Sequence, residues 1–100
     1  MQHVRVATYK ITKGTPEELA KIAEDGMLPI FKGHHGFIGY SVLKIGDAEA
    51  MSISVWNSHK DAEEATELAK DFVAENMADL ISLEWNGVAD AMFNANALGD

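Results

Sequence analysis

The chain has no cysteine, which removes disulfides, thiolate metal sites and cysteine nucleophiles together. Basic residues are scarce as well: Lys and Arg total 8 against 16 Asp and Glu, for a formal charge of −8. That balance opposes polyanions, because nucleic-acid affinity rests on cations neutralising phosphates, and it disfavours anionic lipid surfaces in the same way. Neither nucleic acid nor membrane is an expected partner. No apolar run approaches the roughly 18 residues of a membrane-spanning helix, and Met1 to Lys10 alternate polar and apolar where a signal peptide would be continuously apolar. A soluble cytoplasmic protein is the expectation. Linkers, low-complexity stretches and long charge blocks are absent too, so residues 1–93 read as one domain and residues 94–100 as a flexible tail.

What is present is an ordinary globular composition, 47% hydrophobic and 24% charged over 100 residues, far from that of disordered chains. A chain this short buries only roughly 60–65% of its unfolded surface, so self-association would help it. From His3 to Ile11 two sets alternate, Val4, Val6 and Thr8 against Arg5, Ala7, Tyr9 and Ile11, as in a strand apolar on both faces. Thr15, Pro16 and Glu18 form an N-cap, a proline at the first helical position and a capping-box acid. The helix they open carries Leu19, Ile22, Ala23, Met27 and Ile30 inward, and Gly26 and Pro29 predict a kink or break before Phe31.

After a turn at Gly33 to Gly36, Phe37 to Ile45 and Glu49 to Trp56 read as two strands joined by a hairpin at Gly46-Asp47. Ser58 and Asp61 cap a second helix with Ala62, Ala65, Leu68, Ala69, Phe72, Val73 and Met77 at helical spacing. Leu80 to Phe93 is the last strand, with Ile81, Leu83 and Trp85 on one face and a bulge expected at Asn86-Gly87. The order β-α-β-β-α-β predicts a ferredoxin-like α+β domain with an antiparallel sheet and both helices on one face. The other face would then be an exposed apolar patch, which predicts a homodimer packed sheet to sheet.

Thr12-Lys13-Gly14, His35-Gly36-Phe37-Ile38-Gly39-Tyr40 and Val55-Trp56-Asn57-Ser58 resemble the antibiotic biosynthesis monooxygenase family of the dimeric α/β-barrel superfamily, over about residues 3 to 93. The resemblance implies a dimer whose two sheets close into a barrel, with a pocket between sheet and helices in each subunit. Some members are cofactor-independent oxygenases of polycyclic aromatic substrates, and others degrade haem. The haem-degrading branch uses an Asn on the first strand and a Trp and a His on the second helix. The matching positions here hold Ala7 and, nearby, Ala65 and Glu75, so the resemblance does not extend to haem degradation.

Among candidate chemical groups, His35 beside His34 in a glycine-flanked turn and Asn57 at the strand-to-helix corner are positioned to serve as a proton-transfer group and an oxyanion donor. Tyr9 is a third catalytic candidate. Tyr40, Trp56 and Trp85 are strand aromatics that could wall a pocket for a ring-shaped ligand, although packing alone also explains such residues. Arg5, the one arginine, projects to the same side as Tyr9. It needs either an acid partner, with Glu84 the first candidate, or a substrate anion. The four histidines show no local ligand spacing, so no metal site is expected, and no cofactor. Three functions follow: a cofactor-independent monooxygenase-like enzyme for a small aromatic or conjugated substrate, a non-catalytic dimeric ligand-binding or stress-related protein, or an isomerase on the same scaffold.

Overall fold

The structure, a computed structural model, describes residues 2–95. It has strands β1 (His3–Ile11), β2 (Phe37–Gly46), β3 (Glu49–Trp56) and β4 (Ile81–Asp90), and helices α1 (Pro16–Ile22), α2 (Leu28–Lys32) and α3 (His59–Asn76). Residues 96–100 of the expected tail lie outside the described residues. Both capping boxes form. Thr15 accepts the Glu18 N–H at 3.2 Å, and Ser58 accepts the Asp61 N–H at 3.0 Å. The expected break takes the form of a π-helical turn, Ala23–Met27, which joins α1 to α2 and in which the Leu28 N–H reaches back to the Ala23 carbonyl. Pro29 has no N–H to return to the turn before it, and widening that turn shifts the pairing by one residue.

The sheet runs β2-β3-β1-β4 with every pair antiparallel, the strand order of a ferredoxin-like fold. Directly opposed residues share a face. Arg5, Ala7 and Ile11 of β1 therefore stand with Ala50, Ser52, Ser54 and Trp56 of β3, and all seven are buried. The helices add Leu19, Met27, Phe31, Ala65 and Phe72 to the same core. Val4, Val6 and Thr8 lie on the opposite face with Val55, Ile53 and Met51, extended by Ser41 and Leu43 across β2. Among the described residues no helix packs there.

Three expectations about the last strand are corrected. The register shift falls opposite Thr8/Tyr9, where Glu84 is the extra residue between Leu83 and Trp85, rather than at Asn86-Gly87. A bulge reverses the faces of all residues beyond it. Leu83 consequently pairs with Tyr9 on the helix side while Trp85 pairs with Thr8 on the open side, so the two do not share a face. The strand also ends at Asp90, short of Phe93, and both Met92 and Phe93 are exposed.

Gly26 illustrates how closely the two helical layers approach. A Cβ built there would lie 2.5 Å from Cε1 of Phe72, so the ring occupies the space a side chain would need. Gly26→Ala is expected to destabilise the fold by about 1–3 kcal/mol despite the better helix propensity of alanine. Phe72→Ala should cost about 3–5 kcal/mol by cavity formation. Urea unfolding checks both. A Gly26→Ala protein as stable as the parent would show that the turn yields freely.

Candidate functional site

Between the covered face of the sheet and the helices lies a cavity of about 50 Å³, room for a few water molecules at roughly 10–15 Å³ each. Its existence follows from side-chain size. Ala23, Ala50 and Ala69 offer only methyl groups where helix and sheet face one another, while Phe31 and Phe72 hold the layers apart. Met27 and Met77 line it as well, and their unbranched chains can re-pack around a larger guest.

Four polar side chains on the sheet face this cavity: Arg5 and Tyr9, two turns of the pleat apart on β1, Tyr40 on β2 and Ser52 on β3. Arg5 is only 3% exposed. Its Nη2 donates to the Tyr9 hydroxyl at a long 3.5 Å, and its Nε has no partner at all. No carboxylate among the described residues lies within salt-bridge distance of it. The expected pair with Glu84 does not form: the bulge leaves Glu84 exposed, where slight desolvation and then the neighbouring Glu49 raise its carboxyl while Lys10 opposes the rise. Burial pushes the Tyr40 phenol up to about 12, Tyr9 adding to the rise while Arg5 and Ser52 oppose it. Tyr40 is therefore a protonated donor at neutral pH.

The remaining candidates lie elsewhere. Trp56 is fully buried, its Nε1 donating to Ser54 Oγ at 2.8 Å and its ring edge-to-face with Phe31 at 5.0 Å. It supports the cavity wall from behind and does not line it. Trp85 is 58% exposed on the open face of the sheet. His35 and Asn57 meet at the corner before α3, outside the cavity, where the Asn57 N–H donates to the Gly36 carbonyl at 2.9 Å. The His35 side chain is 82% exposed and its Nε2 is 3.3 Å from Asp61.

That corner has a structure of its own. A Cβ on Gly36 would collide with the Asp61 carboxylate, so the missing side chain is what lets the carboxylate tuck beneath the turn. The Gly36 N–H donates to His34 Nδ1 at 3.0 Å, which leaves the proton of the neutral ring on Nε2, donated to Glu64 at 2.8 Å. His34, His35 and Asp61 have donor atoms close enough to surround a cation. Nε2 of His34, however, presents a proton there and not a lone pair. A second group, His3, His59 and Asp90, gathers at the sheet's end. Hydrogen bonds from His3 and then His59 hold the Asp90 carboxyl below its ordinary value. Sequence spacing could not reveal either group, since each draws on elements distant in the chain.

No family model matches the sequence, and no curated protein matches it significantly. Solved structures do. SnoaB, a cofactor-independent oxygenase from Streptomyces nogalater, superposes with a TM-score of 0.69 at 20% identity, over 93% of this chain and 95% of that one. A candidate antibiotic biosynthesis monooxygenase from Chloroflexus aurantiacus gives 0.69 at 14% identity, over 96% of this chain and 98% of its own. These likenesses establish the fold, a ferredoxin-like α+β domain shared with both structures.

The Tyr40 environment makes a titration prediction. Its folded value lies above its ordinary 10.0, so the folded state holds the proton more tightly than the unfolded chain. The stability this contributes is complete below pH 10 and is lost as pH rises toward 12. Tyrosinate absorbance in the near ultraviolet should show a late step that coincides with alkaline unfolding, and Tyr40→Phe should abolish that step. A Tyr40 that ionises at its ordinary value in the folded protein would contradict the burial.

Proposed function

We propose that the cavity is the substrate pocket of a cofactor-independent oxygenase-like enzyme for a small aromatic or conjugated organic molecule, working as a homodimer. The observation that carries this reading is the convergence of Arg5, Tyr9 and Tyr40, with Ser52 beside them, on an otherwise apolar, aromatic-walled cavity. Likeness of fold to SnoaB, a cofactor-independent oxygenase, supports it. In such chemistry the electrons come from the substrate. A conjugated methylene that loses a proton becomes an electron-rich anion, and dioxygen delivers one atom to that carbon. The two hydrogens leave with the other atom as water, so no external reductant is consumed. Arg5 would stabilise the anion, and the Tyr40 and Tyr9 hydroxyls would donate to its developing oxyanion.

One feature of the lining favours a second reading. It contains no carboxylate and no imidazole, so no side chain there is an obvious base near neutral pH. A substrate acidic enough to ionise on its own would satisfy the enzyme, whereas a protein that only binds needs no base. Oxygen uptake in a closed cell with hydroxylated anthrone and naphthalene compounds separates the two. The enzyme reading expects uptake matched one to one by oxygenated product, and a slower rate in Tyr9→Phe. Binding without uptake across the panel would favour the ligand-binding protein.

The dimer is proposed from the bare sheet face. Val4, Val6, Ile53 and Val55 line that face, Leu43 and Ile45 remain largely exposed on β2, and Trp85 lies at the far edge. Burial on the order of 25 cal/mol per Å² makes a sheet-sized contact decisive. Sedimentation at micromolar concentration should return twice the chain mass. Because Trp56 is already fully buried, dilution into monomer should shift tryptophan emission to the red through Trp85 alone. Val6→Asp should leave a destabilised monomer, and a well-behaved monomer of the unmodified chain would overturn the assignment.

A further inference from the structure

Resting on the reading of the cavity as the substrate pocket, we infer that Arg5 is an anion receptor and that the pocket selects planar organic oxyanions, carboxylates or ionised phenols and enols, over neutral molecules of the same shape. The inference begins from an anomaly of burial. A guanidinium stays charged in any protein environment, and withdrawing it from water is unfavourable unless an anion and hydrogen-bond acceptors replace the lost hydration. Arg5 is almost wholly withdrawn and nothing replaces that hydration except one long contact to Tyr9.

Its surroundings make the deficit specific. Opposite Arg5 in the sheet stand Ser54 on β3 and Val88 on β4, neither of them charged. Ser54 already accepts from Trp56. The buried carboxylate of the fold, Asp61, faces His35 and His34 at the corner, and Asp90 is held by His3 and His59. Asp61 and Asp90 are thus engaged with histidines, Glu84 is exposed at the bulge, and among the described residues no carboxylate forms a salt bridge with Arg5.

The unsatisfied donors are also arranged as a recognition element. Nε and Nη2 share one edge of the guanidinium plane, and they are the vacant donor and the one with the long contact. That edge is the fork that a carboxylate, or the paired oxygens of an ionised hydroxy-ketone, accepts with two parallel hydrogen bonds. An oxyanion docked there would replace the 3.5 Å Tyr9 contact and requires the side chains packed over the sealed Nε to shift, and its apolar remainder would lie among Phe31, Phe72 and the methionines of the lining. The same contact explains how a pocket without a base can host anion chemistry: the guanidinium favours the ionised form of an acidic guest, and the proton is released to solvent.

Binding of propionate and benzoate, each compared with its neutral amide, tests this by thermal shift and ligand-observed NMR. The wild-type protein should prefer the carboxylate over the amide by on the order of tenfold or more, as charge-assisted hydrogen bonds to a buried fork require. Arg5→Met should erase that preference while melting at or above the wild-type temperature, because it removes an unpaired buried charge. An arginine kept for packing would instead destabilise the fold when replaced. Equal binding of acid and amide by the wild type, or a preference that survives in Arg5→Met, overturns the inference.

Should Arg5→Met not fold, 4-nitrophenol with the wild-type protein decides. The bound phenol should ionise at a lower pH than the free one, seen as growth of the phenolate band, and an unchanged or raised ionisation pH overturns the inference. None of these readouts involves oxygen. A protein that prefers carboxylates yet never consumes oxygen loses the oxygenase reading and keeps this one. One that oxygenates neutral substrates with no carboxylate preference does the reverse.

Discussion

Phe31 is the contact on which the rest of the architecture depends. It is fully buried at the end of α2 and meets Trp56 edge-to-face at 5.0 Å and Tyr40 at 4.9 Å, geometries worth about 0.5–1.5 kcal/mol per pair beyond the area they bury. Those contacts fasten the end of the first helical layer to β2 and β3 and fix the height of the helix above the sheet. Between Phe31 and Phe72 that height cannot be filled by Ala23, Ala50 and Ala69, and the cavity is the remainder. The same fastening sets the turn that follows α2, where His34 stacks edge-on against Trp56 at 5.2 Å and Gly36 receives Asp61 beneath it. Cavity and corner are thus two consequences of one aromatic cluster, which is why neither is a separable module.

Two helical layers on a four-stranded sheet can cover one side of it and no more. The chain's β-branched residues are nevertheless spread over both sides, with Val4, Val6, Ile53 and Val55 facing away from the helices. An apolar surface of that extent is unusual on a monomer and is the physical basis for expecting a second sheet against it. The covered side is the apolar core, yet Arg5, Ser52 and Ser54 are buried within it beneath the helices. A core arranged only for stability would not be built this way.

How much of this was legible in the sequence divides along physical lines. Both capping boxes, the four strands and the helical stripes were, because each depends on residues within a few positions of one another. The break before Phe31 was legible through Gly26 and Pro29, though not its π-helical form, in which the Leu28 N–H pairs with the Ala23 carbonyl. The bulge was not. One additional residue at Glu84 reverses Leu83 and Trp85 between faces, and strand alternation read from sequence assumes that no such residue exists. The expected Arg5 and Glu84 pair failed for the same reason. Of the candidate site residues, Arg5 and Tyr9 on central strand β1 and Tyr40 on edge strand β2, all on the helix-facing side, come together at the cavity. His35 and Asn57 were chosen for their place in loops, and their neighbourhood was decided by Asp61 tucking under Gly36, which nothing local announces.

The lone arginine also has a consequence at longer range. The chain carries a formal charge of −8, and its exposed helical faces are rich in Glu and Asp, so an organic anion approaching from solvent meets repulsion before it meets the guanidinium. Beyond a Debye length of roughly 8 Å at physiological salt that repulsion is screened, and within the cavity the short-range term dominates because the surrounding dielectric is low. An anionic guest of the proposed kind would therefore not be gathered by steering, as it is by a basic cleft. On the proposed reading, selectivity would arise after entry, from the buried Arg5 fork and the Tyr9 and Tyr40 hydroxyls.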